Sequence, residues 1–144
     1  MESKEVSAEQ ILECSLLPVI LLKTYEMETT VMGFHVYKTS WNPYVGEELR
    51  AVMQPNNLMD KFAVAIERIE LGVVGHLPLG KSGKFAKTIF FFLKANQQNS
   101  CNVIVRGKAV NEGDGKGMKV PCRLLFSAEE RFINVLQKQL YQML

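Results

Sequence analysis

The sequence predicts an α+β fold, mainly β with helices: a strongly curved antiparallel sheet or small β-barrel carrying one central helix and one C-terminal helix. Three observations predict it. Short β-branched and apolar runs, separated by Pro, Gly and Asn turns, fill the chain up to Leu77. The period then becomes helical over Ser82–Ala95. Only two further strand runs and one amphipathic helix follow. Five strands ahead of the first long helix do not fit a doubly wound parallel sheet.

Taken in order, Ser7–Ser15 reads as a short helix, with Ser7 as N-cap and Gln10 three residues on. Pro18–Thr24 is apolar and β-branched, a buried strand. Thr29–Tyr37 reads as a second strand on the β propensity of Thr30, Val31, Phe34, Val36 and Tyr37. Lys38–Gly46 is a loop of turn residues that displays Trp41 and Tyr44. Glu48–Met53 is the third strand, ended by the turn Pro55-Asn56-Asn57. Phe62–Arg68 and Leu71–Leu77 form a hairpin. Ser82–Ala95 sets Phe85, Ile89 and Phe92 on one helical face and Lys84, Lys87 and Lys94 on another. Cys101–Lys108 and Met118–Phe126 are strands joined by the glycine-rich loop Asn111–Gly117. Ser127 and Glu130 have capping-box spacing and open the last helix, with Phe132, Val135, Leu136, Leu140 and Met143 as its apolar stripe. The chain thus divides into an N-terminal helical extension (1–17), a barrel domain (18–126) and a C-terminal helix packed on the barrel (127–144).

A chain of 144 residues, 47% hydrophobic and 22% charged, is the size and composition of one globular domain. Met1–Gln10 is polar and acidic, so no secretory signal is expected. Leu16–Leu22 is far short of the roughly 20 apolar residues a membrane span needs. Cys14, Cys101 and Cys122 are odd in number and form no C-x-x-C pair. They read as small buried hydrophobes in a reducing compartment, and neither a metal nor a cofactor is expected.

The net charge of +2 conceals an asymmetry. Met1–Gly75 holds 6 Lys+Arg against 11 Asp+Glu, and His76–Phe126 holds 9 against 2. A basic face built from the second stretch attracts polyanions. The other reading is that both signs mix once the chain folds.

Gly75-His-Leu-Pro-Leu-Gly80-Lys81-Ser82 matches the phosphate-loop pattern G-x-x-x-x-G-K-[ST] and stands between a strand and a helix. Three observations count against nucleotide hydrolysis. No later strand ends in a carboxylate that could orient a metal. The surrounding elements are not a parallel βα alternation. Pro78 lacks an N–H where the motif needs donors. Anion binding at the start of the following helix is retained as an alternative.

Two segments carry a family resemblance. Asn56-Asn-Leu-Met-Asp-Lys-Phe-Ala-Val-Ala-Ile66, followed by Val74-Gly-His-Leu-Pro78, resembles the paired motifs of HIRAN domains, and Gly33-Phe-His-Val-Tyr37 falls where that family has its first strand. The resemblance spans roughly Met32–Phe126. It implies an OB-related barrel that reads the 3′ end of single-stranded DNA. It further implies that Asp60 accepts a hydrogen bond from a terminal 3′-OH, since an ionised carboxylate only accepts. Asn57 would bond a base or the sugar-phosphate, and His76 would line the pocket wall. Asn56, Lys61, Lys81, Lys84, His35 and Tyr37 complete the implied nucleic-acid surface. The family's aromatic before the Asp is Met59 here, and a stacked base is worth about 1–3 kcal/mol. Trp41 and Tyr44, in a loop longer than the family's, are expected to supply the missing platform.

Each of these residues also has a purely structural reading. Asp60 could cap a turn through backbone N–H groups. His76 could be a satisfied structural histidine, and Tyr37 and Phe62 could belong to the core. Phe91 either packs under the C-terminal helix or stands as an aromatic among lysines. No nucleophile–base pair is evident. The sequence therefore reads as a non-catalytic module, intracellular and nuclear, that binds single-stranded nucleic acid, DNA before RNA, and positions a larger DNA-processing activity. A protein-interaction module on the same barrel is the alternative, and nucleotide binding through Gly75–Ser82 the second.

Overall fold

The computed structural model describes residues 21–37 and 41–143. The expected Ser7–Ser15 helix, the extension 1–17, Cys14 and the start of the Pro18–Thr24 strand lie outside the described residues. The elements are β1 (Leu22–Val31), a helical turn α1 (Phe34–Tyr37), β2 (Glu48–Gln54), β3 (Ala63–Arg68), β4 (Gly72–His76), α2 (Phe85–Ala95), β5 (Ser100–Val105), β6 (Val110–Asn111), β7 (Met118–Glu129) and α3 (Glu130–Tyr141).

The α+β class is as predicted. One antiparallel sheet runs in the order β1-β7-β5-β2-β3-β4, with the short β6 also on β7. The sheet curls without closing: its two edges meet at one bridge, just past the end of β1. There the Met32 N–H donates to the His76 carbonyl at 2.8 Å, and the His76 N–H returns to Met32 at 3.0 Å. Gly75 makes this approach possible. A Cβ there would strike Val31 Cγ1 and would lie 2.7 Å from the Met32 carbonyl oxygen.

Both long helices cover the inner face of the curl. Helix α2 packs on β2 and β3, α3 on β1 and β7, and the two helices pack on each other. Val64, Ile66, Ile89, Val103, Phe126 and Leu136 are fully buried between them. Each such side chain contributes on the order of 1.5–3 kcal/mol by leaving water. Cys101 and Cys122 are buried and unpaired in the same core. No helix among the described residues is long and apolar enough to cross a membrane.

Three boundaries differ from expectation. The strands expected at Pro18–Thr24 and Thr29–Tyr37 are one strand, paired with β7 from Leu22↔Glu129 to Val31↔Val120. Gly33, at φ 78°, then turns the chain, and Phe34–Tyr37 is a helical turn rather than strand. The capping box does not form. Strand β7 continues to Glu129, with Ser127 in the ladder opposite Thr24 and Ser100, and α3 begins without a side-chain cap. Helix α2 starts at Phe85, not Ser82, because Lys81–Gly83 is taken up by a turn.

Candidate nucleic-acid interface

The β2–β3 connection carries most of the predicted residues, and its shape follows from two short polar side chains. Asn57 Oδ1 accepts from the Met59 N–H at 2.8 Å and the Asp60 N–H at 3.0 Å. Its Nδ2–H donates to Gln54 Oε1 at 2.8 Å. His76 Nε2 lies 2.6 Å from the same Gln54 oxygen, across β3. An amide oxygen already accepting from Asn57 can only accept again, so Nε2 carries the proton and donates. Ala63 and Ala65 lie on the same face of the sheet as Gln54 and His76, and their short side chains let the two meet. The His76 ring is half-buried, and burial holds its pKa below the usual 6.5. Nδ1 has no hydrogen-bond partner among the described residues.

Asp60 is half-buried and closes the loop. One carboxylate oxygen accepts the Phe62 N–H at 2.8 Å, an Asx turn; the other makes no hydrogen bond among the described residues. The turn-capping reading of Asp60 is thus met, and its second carboxylate oxygen is left as an acceptor among the described residues. Asn56 and Lys61 are exposed beside it. Leu58 and Met59, at the loop tip, are 100% and 94% exposed. The Lys61 ammonium sits 5.2 Å, and that of Lys87 on α2 4.7 Å, from the centre of the Phe62 ring. Gln54 had no role in the sequence reading, and Lys87 had one only on the lysine face of the Ser82–Ala95 helix. Strand pairing sets Gln54 against His76, and helix docking sets Lys87 over Phe62.

The expected stacking platform is not there. Trp41 is 1% exposed, its ring edge-on to Phe34 at 5.9 Å and its Nε1–H donating to the carboxylate of buried Glu47. An indole sealed in the core cannot stack on a base. Tyr44 is exposed, but its neighbours are Glu48, Arg68, Ile69 and Glu70. It precedes β2, whereas Asp60 follows β2, and that seven-residue strand separates them by about 20 Å. The backbone of α1 lies against β4, which puts positions 35 and 37, His35 and Tyr37, at the His76 end of the sheet.

Lys81 and Lys84 fall in different places. Lys81 lines a cleft of about 520 Å³ with Thr30, Met32, Lys116 and Lys119. Lys119 is buried there, paired with Glu112 at 2.8 Å and with Asp114. Lys84 lies over the end of α3, beside Thr88 and Gln139. Nor is Gly75–Ser82 a phosphate cradle. Gly75 and His76 belong to an antiparallel edge strand. The Gly83, Lys84 and Phe85 amides that should face an anion donate to Gly80 O, Ser82 Oγ and Leu79 O. Cys101 and Cys122 offer no nucleophile: burial pushes the Cys122 thiol up to about 12 and raises that of Cys101 as well.

Neither a protein-family model nor a curated protein sequence matches this chain. Solved structures do match in fold. A curled antiparallel sheet with two helices packed on it is a HIRAN-like fold. The crystal structure of the HIRAN domain of human HLTF superposes with a TM-score of 0.62 at 19% identity, covering 82% of this chain and 88% of that one. An NMR structure of the HLTF HIRAN domain gives 0.60 at 20% identity over 83% and 88%. An NMR structure of the same domain in its DNA-bound conformation gives 0.54 at 19% identity over 82% and 87%.

Proposed function

We propose that this domain binds single-stranded nucleic acid, DNA in preference to RNA, by a free 3′ end. The observation that carries the reading is the half-buried Asp60, held at the end of the sheet by the Asn57–Gln54–His76 network, with one oxygen that accepts no hydrogen bond among the described residues. A lone acceptor next to exposed Lys61 suits a terminal hydroxyl followed by a phosphate. The fold likeness to a HIRAN domain with a DNA-bound conformation supports the same reading. The module acts without chemistry of its own and places a larger DNA-processing activity at strand ends in the nucleus.

A second reading draws on Leu58 and Met59. Two apolar side chains standing free at a loop tip suit an apolar pocket on a protein partner.

Fluorescence anisotropy with oligonucleotides ending in 3′-OH or 3′-phosphate, at two salt concentrations, decides between them. The 3′-OH strand binds at least tenfold more tightly, and affinity falls with salt. Asp60→Asn keeps the turn, because the amide oxygen still accepts the Phe62 N–H, yet it loses the preference for a free end. Equal binding of both ends by the wild type overturns the end-reading proposal, and absence of binding to either leaves the protein-partner reading.

A further inference from the structure

Helix α2 buries Ala86, Ile89, Phe90 and Phe92 and turns its other face to solvent. At 3.6 residues per turn, Lys87, Phe91 and Lys94 share that outward face. Phe91 is not sealed under α3: it is 45% exposed, and its ring lies 5.2 Å from that of Phe62. Phe62 in turn carries the Lys61 and Lys87 ammonium groups over its ring. Among the described residues, none of Lys61, Lys87 and Lys94 is in an ion pair. The chain has no Asp or Glu between Glu70 and Glu112, so nothing on α2 or its sequence flanks neutralises Lys87 and Lys94.

This stripe begins where the end pocket stops. Phe62 is the residue whose N–H binds Asp60. From Lys87 to Lys94 the helix rises about 10 Å, the length of about three stacked nucleotides. Unpaired lysines alternating with a partly open aromatic pair match a strand that offers phosphates and base faces together. We infer that the outward face of α2 is a second contact surface, which holds the single strand leading up to the bound end. Lys61, Lys87 and Lys94 meet its phosphates, and a base stacks on Phe91.

The inference rests on the end-binding reading, and oligonucleotide length separates the two. The probes are a trinucleotide and an octanucleotide sharing one free 3′ end. Wild-type affinity rises at least tenfold from the shorter to the longer. Phe91→Leu, which keeps apolar packing against Phe62 but removes the aromatic plane, loses about tenfold on the octanucleotide alone. Lys87→Gln with Lys94→Gln lowers the salt slope of the octanucleotide by about 1.4, at about 0.7 per phosphate contact. Trinucleotide binding is unchanged in both variants. Trinucleotide binding with no gain from length overturns the α2 surface and leaves the end pocket. Octanucleotide binding that the α2 variants reduce, with no trinucleotide binding, does the reverse. If neither length binds, both fall.

Discussion

The indole N–H of Trp41 points at both carboxylate oxygens of Glu47, at 3.2 and 3.3 Å, inside the core. The same carboxylate accepts the Tyr44 amide at 3.4 Å and lies 3.4 Å from the Arg68 guanidinium. Its backbone is tied to Val105 on β5. One acid thus satisfies a buried donor, a loop amide and a strand-end cation. Glu47→Ala leaves the indole N–H without a partner and costs about 2–3 kcal/mol, whereas Glu47→Gln keeps an acceptor and costs about 1 kcal/mol. Urea denaturation with an unchanged m-value reads both. Because Trp41 is buried, its emission is that of an indole out of water, and adding single-stranded oligonucleotide leaves it unquenched. Quenching in proportion to binding would return Trp41 to the binding surface.

Gly75 is fixed by space rather than by backbone angle. Its φ is not positive, but an added methyl group meets Val31 Cγ1 and the Met32 carbonyl, the acceptor in the bridge between the sheet's edges. A carbonyl held in that bridge cannot move aside without losing its bond to His76. Gly75→Ala therefore destabilises by at least about 1–3 kcal/mol and speeds amide exchange at Met32 and His76. Gly107→Ala, whose methyl would meet only Pro121 at 3.6 Å, is the control, expected within about 0.5 kcal/mol of wild type. Equal stability of the two variants would show that the edges are not pressed together at Gly75.

Legibility in the sequence followed how local each determinant is. The β2–β3–β4 meander could be read because its turns, Pro55-Asn56-Asn57 and the Gly72 corner, are written next to its strands. The exposed face of α2 could be read from spacing alone. Strand β1 could not, because Tyr25-Glu26-Met27-Glu28 looks like a break until Arg123 of β7 supplies the partner for Glu28, at 2.8 Å. Trp41 looked exposed because turn residues surround it; its burial depends on Glu47 presenting an acceptor after the chain has turned. The Asx turn at Asp60 was visible as one of two readings. Gln54 was invisible, since only strand pairing puts it between Asn57 and His76. Phe91 was visible as an oddity on its helix face, but its neighbour Phe62 comes from a different element.

His76 links the fold to pH. Burial lowers its pKa below 6.5, so the unfolded imidazole takes up a proton at a higher pH than the folded one. In the window between the two values the unfolded chain binds more protons, and stability rises with pH there. The stabilisation is complete above about pH 6.5 and is lost as pH falls through the folded-state value. His76→Gln, which keeps an N–H donor for Gln54 but does not titrate, is flatter than wild type between pH 5 and 8. A wild-type slope identical to that of the variant, or stability gained on acidification, contradicts this assignment. Ligand supplies the second half of the experiment. A phosphate brought beside the ring favours imidazolium and works against burial, so a saturating 3′-OH oligonucleotide raises the His76 pKa as followed by NMR. A ring whose titration ignores the bound strand serves only as a strut between β4 and Gln54.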